Sequence, residues 1–345
     1  MPISYTLATD IASLSLDAHM RGPVMAQTIQ DKPLLAALTK GQKTFPGGKQ
    51  YITEPVQGAY MSDTAGFFAG YSGIDVLTFA GASNALRAQY AWKECHAGFI
   101  ITHTELKQGG IVVTDSENKT KNVGEQELIQ LTALLENRLN DFGESWVRSK
   151  NNMLWADGTQ DTKQVPGLQS LITDGSTGTV GGLSQSTYTW WKNRAKLDLV
   201  ASAENQTISK FFRNEVKQLR RYGGKPNLIL CGSAFWDALA QEIERKGNYT
   251  QTGFAGGKTD IGLDTISLKG VGDFQYDPTM DDNGQSKLCY FLDTNKIKYR
   301  PMEGCDDKTS MPSRPYDYFV MLKSMSLTAA LQVTQLNANG KYGIA

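Results

Sequence analysis

Side chains able to do chemistry are few and scattered. The three histidines are His19, His96 and His103, and none belongs to an H-E-x-x-H helix. Only His96 and His103 share a segment, where sheet or interface histidines are a simpler reading than a metal pair. The four cysteines, Cys95, Cys231, Cys289 and Cys305, form no C-x-x-C pair. That spacing favours neither zinc nor a disulfide framework, and it fits a reducing compartment. Gly253 to Thr259 (GFAGGKT) approaches a phosphate loop, but three residues rather than four separate its first glycine from the Gly-Lys pair. No strand is expected before it, so a flexible surface loop is the better reading. There is no G-x-S-x-G elbow, and Asp281-Asp282 and Asp306-Asp307 lie in turn-like sequence where a solvated surface is expected. No catalytic, cofactor or metal residue is nominated, and the chain is not read as an enzyme.

Charge is balanced, with 35 Lys plus Arg against 35 Asp plus Glu, so no global field recruits nucleic acid or membrane. One local feature departs from that balance. Lys210, Arg213, Lys217, Arg220 and Arg221 follow helical spacing, with Glu215 the acidic residue among them. A solvated basic face is the simple reading; an acidic neighbouring surface or packaged DNA is the functional one, with Arg213 and Lys217 at its centre. Trp190 and Trp191, beside Tyr188, must point in different directions. One can anchor a core and the other a contact, or both can be core.

The elements that would position these residues mix helix and strand. No apolar run approaches the roughly 20 residues of a membrane span, and the N-terminus does not read as a secretory signal. Pro33 opens a short helix carrying Leu34, Leu35 and Leu38. From Phe45 to about Ala88 the chain is glycine-rich and broken by Pro46 and Pro55, with a short strand expected over 49–53. A stretch that long without a core is unusual, and burial on another subunit would account for it. Residues 88–107 read as one long strand interrupted at Gly98. Leu128, Leu131, Leu135, Leu139, Phe142 and Trp146 make one apolar stripe, which predicts a spine helix over 125–152, roughly 40 Å long. A second amphipathic helix is expected over 205–222, a strand over 227–231 and a helix over 233–246. Residues 247–286 look loop-rich, and 287–293 with 296–300 suggest a hairpin around Thr294-Asn295. Alternation from Met325 to Thr334 is the best strand signal in the chain.

Several phrases, taken in order, resemble the tailed-bacteriophage major capsid protein family. They are Leu154-Trp155-Ala156-Asp157-Gly158-Thr159, then Val165-Pro166-Gly167-Leu168-Gln169-Ser170-Leu171-Ile172. Gly178-Thr179-Val180-Gly181-Gly182-Leu183 follows, and then Thr189-Trp190-Trp191-Lys192-Asn193. The resemblance implies an α+β Hong Kong 97-like phage capsid fold. Its parts would be an N-terminal arm (1–44), an extended loop (45–88), a peripheral domain with the spine helix (89–165) and an axial domain (166–299). C-terminal strands (300–345) would return to the peripheral domain. The implied function is a coat protein that self-assembles into hexamers and pentamers of an icosahedral shell around double-stranded DNA. Implied partners are further copies of the chain, a separate scaffolding protein, a portal, a decoration protein and the packaged DNA. The implied location is the virion, after synthesis in a host bacterial cytoplasm. Some members of this fold weld subunits through lysine–asparagine bonds. Lys49 sits in the extended loop, but neither a partner asparagine nor a catalytic glutamate matches, so crosslinking is not carried over. The interface candidates are therefore Lys49, Trp190, Trp191, Arg213 and Lys217. The alternatives are an encapsulin-like nanocompartment shell, marked by a cargo-docking groove, and a hydrolase with an unrecognised site.

Overall fold

A computed structural model describes residues 29–58, 60, 67–76, 85–102, 104–105, 125–175, 177–245, 265–268, 270–310 and 320–345, with main chain only over 125–137, 244–245, 265 and 321. His19, His103, the segment 253–259 and the side chains of Leu128, Leu131 and Leu135 lie outside that description. The chain forms two compact units. Among the described residues one takes Glu94–Lys150 with Gly304–Leu327, and the other Asp31–Lys93, Asn151–Glu303 and Thr328–Ala345.

The larger unit is built on a six-stranded mixed sheet. Its strands are β6 (Arg194–Leu199), β7 (Leu228–Cys231), β8 (Thr265–Leu268), β9 (Gly272–Tyr276), β10 (Leu288–Leu292) and β14 (Gly340–Ile344), in the order β6-β14-β10-β7-β9-β8. β14 runs parallel to β6, β7 parallel to β9, and the other pairs are antiparallel. Both faces are buried over the central strands β10 and β14, as continuous apolar runs such as Leu288–Leu292 require, while β6 and β9 leave one face exposed. On one face, helices α4 (Thr207–Arg220) and α5 (Ser233–Arg245) close over Ile229, Cys231, Phe274, Cys289, Phe291 and Tyr342. Phe212 of α4 is the hub of this core, stacked on Phe291 at 4.8 Å between ring centroids. The opposite face carries Tyr290, whose ring meets Trp155 edge-on at 5.2 Å.

Trp155 ends the spine helix α2 (Glu125–Trp155), three residues beyond the expected stop. Helix α1 (Pro33–Lys40) starts at proline and buries Leu34, Leu35 and Leu38, as anticipated. The following chain bonds along β11 (Ile297–Pro301), through Lys43 N–H to Tyr299 O at 3.2 Å and Phe45 N–H to Pro301 O at 3.0 Å. The long strand β13 (Val320–Val333) pairs with β11 over Ala329–Val333 and with β12 (Lys308–Thr309) over Met325 and Ser326.

In the smaller unit, Phe99 of β3 (Lys93–Thr102) packs on Phe142 of α2 at 5.1 Å. Gly98 lies inside β3, where an added Cβ would stand 3.1 Å from the Lys323 carbonyl of β13. The buried Lys150 amine reaches Asp307 at 2.9 Å and Asp306 at 3.5 Å, and the Trp146 indole donates to Asp307 at 2.8 Å.

Four expectations are corrected. The single strand over 88–107 is two strands, β2 (Ala85–Ala91) and β3, which belong to different sheets. The break falls at Trp92, whose indole donates to Lys49 O instead of continuing a ladder. The late hairpin is not one. Lys296 and Ile297 turn back onto Asp293 O, but β10 pairs with β7 and β14 whereas β11 pairs with β13. Residues 265–282 hold two strands and a helix, α6 (Pro278–Asp282), where loop was expected. Finally, the acidic pairs are not merely solvated: Asp282 and Asp307 are exposed as expected, but Asp307 also serves as above, and Asp281 accepts from Ser233 N–H at 3.0 Å and Tyr276 O–H at 2.7 Å.

Candidate assembly surfaces

The phrases after the spine helix fold into one polar knot in the larger unit, which holds the short helix α3 (Leu168–Leu171) and the paired strands β4 (Thr179–Val180) and β5 (Leu183–Ser184). Gly167 lies against the last turn of α2, where an added Cβ would fall 2.5 Å from the carbonyls of Met153 and Ala156. Only glycine allows that approach. Further on, Asn193 donates to Thr173 O at 2.8 Å, and the Thr173 hydroxyl meets Gln185 at 3.0 Å and Asn193 at 3.1 Å. Gln185 and Asn193 are buried, so each polar atom must find a partner there. Trp191 is buried beside them, its indole donating to Val180 O at 3.0 Å. Gly181 and Gly182 turn at positive φ (60° and 78°), and Gly181 O accepts from Gln89 N–H at 2.8 Å.

That last bond roots the extended loop. β1 (Tyr51–Gln57) and β2 form an antiparallel ribbon in register from Tyr51↔Ala91 to Gln57↔Ala85. The root is fixed at three further points. The Tyr90 hydroxyl donates to Val333 O at 2.8 Å, Gln332 donates to Glu54 at 2.8 Å, and Gly58 lies on the Trp190 ring so closely that a Cβ there would be 1.7 Å away. Trp190 is therefore half-buried against the ribbon while Trp191 is core. The pair thus divides between the core and the ribbon of the same chain. Lys49 offers its main-chain carbonyl to Trp92 and leaves its side chain exposed.

Beyond the root the chain turns apolar and unburied. Phe68 is 98% exposed, Ile74 94%, Val76 91% and Tyr71 73%. Scattered single apolar residues on a surface are ordinary, whereas these four large ones are all exposed within ten residues of chain.

The amphipathic helix α4 carries Arg213 and Lys217 on its solvent side with Lys210 and Arg220, while Ile208, Phe212, Val216 and Leu219 face the core. Glu215 is buried on the core side. It pairs with the Arg194 guanidinium (Nη2 to Oε2, 3.1 Å) and accepts from the Tyr342 hydroxyl at 3.2 Å. Burial beside that carboxylate holds the Tyr342 hydroxyl well above its ordinary pKa. The structure thus brings Trp190 to the loop root, and places Arg213 and Lys217 together on a different element.

Sequence reasoning missed the groups that orient this helix. Glu242 of α5, wholly buried, caps it by accepting from Ile208 N–H at 2.8 Å and Ser209 N–H at 3.0 Å. No local pattern signals a cap donated from 33 residues away. Among the described residues no cluster of three or more His, Cys, Asp or Glu could hold a metal ion, and no helix is long and apolar enough to cross a membrane.

No family model matches the sequence, and no curated protein does. Solved structures do match. The capsid asymmetric unit of cyanophage A-1(L) is 13% identical with a TM-score of 0.62, over 93% of this chain and 94% of that one. The capsid of a native GTA particle gives 14% and 0.57 over 97% and 98%, and the capsid of Myoviridae phage XM1 gives 12% and 0.56 over 93% and 95%. The fold is thus that of phage capsid subunits. More particularly, it is the Hong Kong 97-like architecture that the phrases around Trp190-Trp191 resemble.

Proposed function

We propose that the chain is the major capsid protein of a tailed phage, self-assembling into hexamers and pentamers of an icosahedral shell around double-stranded DNA. The carrying observation is that Phe68, Tyr71, Ile74 and Val76, which lie in sequence between the two strands of a ribbon whose root is fixed by Tyr90, Glu54 and Trp190, are all exposed. Such a loop loses its exposed surface only on another molecule. A second copy of the chain fits, because closed symmetry repeats one contact around a ring and makes modest pairwise energies cumulative.

In this reading residues 1–44 form the arm, 45–88 the extended loop, 89–165 the peripheral domain and 166–299 the axial domain, and 300–345 return to the peripheral domain. Chemistry is confined to binding. A separate scaffolding protein, a portal and a decoration protein would complete the particle. The virion is its location.

The test is negative-stain electron microscopy with light scattering on the chain expressed alone and with its neighbouring genes. Closed shells or ring-shaped capsomers are expected. A monodisperse monomer under every condition, with scaffold supplied, overturns the reading. The pair Phe68→Ser with Ile74→Ser should leave the thermal midpoint unchanged and abolish shells, since neither side chain is buried within the subunit.

A further inference from the structure

We infer that the exposed face of α4 is a polyanion-binding surface whose occupant is the phosphate backbone of double-stranded DNA; this rests on the shell reading above.

The face is more strongly charged than the sequence alone suggests. Glu215 would offset the cations if it shared their side of the helix, but it is buried and already neutralised by Arg194. Lys210, Arg213, Lys217 and Arg220 are exposed, and none forms an ion pair among the described residues. Arg221 extends the row, its guanidinium over the Tyr222 ring at 5.5 Å. From Lys210 to Arg221 the row spans about 16 Å at 1.5 Å per residue. In a chain whose cations and anions are equal in number, four unbalanced charges on three turns are a local excess.

The occupant follows from what the face lacks. A protein partner would call for an apolar or aromatic centre ringed by polar groups. Between Lys210 and Arg220 the exposed residues are cationic or amide (Asn214), with every apolar side chain turned to the core or half-covered. The exposed Tyr222 stands at the end of the row under Arg221 rather than at its centre. Such a row suits a partner read by charge alone. Duplex DNA presents one negative charge per roughly 1.7 Å of axis, so a row of this length meets several phosphates without any base contact. Glu242 and Arg194 serve this surface indirectly: one caps the helix, and the other removes the carboxylate from its field.

The experiment is fluorescence anisotropy of a labelled duplex of mixed sequence with the full chain, titrated with salt. It is repeated with Arg213→Gln plus Lys217→Gln, and with Lys163→Gln as an exposed-cation control. Binding should weaken with salt in a log–log line, and the double variant should lower its slope by about two, at about 0.9 per phosphate contact. The control should leave the slope unchanged. Unaltered binding by the double variant, or no binding at low salt, overturns the inference. So does a double variant that binds DNA normally but no longer forms shells, since the row would then meet an acidic face of a second copy. Normal shells without DNA binding sink this inference and spare the shell reading. DNA binding by a chain that never assembles does the reverse.

Discussion

The carboxylate of Glu242 bonds Ser209 twice, accepting from its main-chain N–H at 3.0 Å and from its hydroxyl at 2.9 Å. The residue at the head of that helix, Gln206, sits in the left-handed region at φ 53° and offers no side-chain cap. The cap has been delegated to the next helix, which ties α4 to α5 through a buried charge at the positive end of the helix dipole.

Removing that carboxylate should be costly. Glu242→Ala leaves two buried N–H donors without partners, for about 2–3 kcal/mol lost. Glu242→Gln keeps one acceptor and should lose about half as much. Urea unfolding of the soluble subunit measures both, and equal losses would show that the bonds to Ile208 and Ser209 do not matter.

Two glycines, one inside α2 and one packed against its last turn, should respond in opposite senses. Gly167→Ala drives a methyl into the carbonyls that end α2, and about 3 kcal/mol of overpacking strain is expected. Gly143 sits inside α2 with nothing within 4 Å of an added Cβ. Gly143→Ala should therefore raise stability by about 0.5–1 kcal/mol. Thermal melts of the two variants against the parent check the pair.

Asp277 supplies a pH dependence. Its carboxyl, wholly buried, accepts from Thr279 N–H at 2.9 Å and the Trp155 indole at 3.2 Å. Burial outweighs those bonds and raises its pKa above 3.8. A carboxyl raised in the folded state holds its proton more tightly there than in the unfolded chain. The fold is therefore favoured below the unfolded pKa and progressively penalised as pH rises through the folded one. Asp277→Asn should flatten the stability–pH curve as pH rises above the ordinary carboxylate range. The readout is the slope rather than the height, because the amide nitrogen would face the Trp155 donor. An unchanged slope would place the titration elsewhere.

The thiols should divide into two classes. Burial pushes the Cys231 thiol up to about 12, and Cys289, directly opposite it across β7 and β10, is also raised. Little thiolate forms at either near neutrality, and thiolate is the reactive species. Cys95 and Cys305 are partly exposed. Iodoacetamide on the folded subunit, followed by peptide mapping, should label Cys95 and Cys305 well before the buried pair. Simultaneous labelling of all four would contradict the sheet assignment.

Period carried the sequence reading as far as it went. The spine helix, α4 and the alternation in β13 were each legible because one face is apolar at a fixed spacing, and β7 because it is an unbroken apolar run. Trp92 marks where that method stops, since strand-like residues continue through it although the chain changes sheets there. The late hairpin failed similarly. Spacing identified both strands, but pairing depends on β7, β13 and β14, which are distant in sequence. Residues 265–282 were missed because β8 and β9 are short and mix polar with apolar residues, without the unbroken apolar run that marks β7. Of the candidate surfaces, the cations of α4 were visible and the fate of Glu215 was not. Its direction is set by Arg194 and Tyr342, which no helical wheel contains.

Strand β14 lies between β6 and β10, yet it comes after every other strand of that sheet in chain order. As the chain leaves the ribosome, β6 and β10 emerge with a gap between them that only Gly340–Ile344 fills. The aromatic core around Phe212, which includes Tyr342, stays open until then. Translation that stops before Gly340 therefore yields a product with two bare strand edges and an unclosed core, a species suited to proteolysis. Placing a late segment inside the sheet makes completeness of the polypeptide a condition for closing the core.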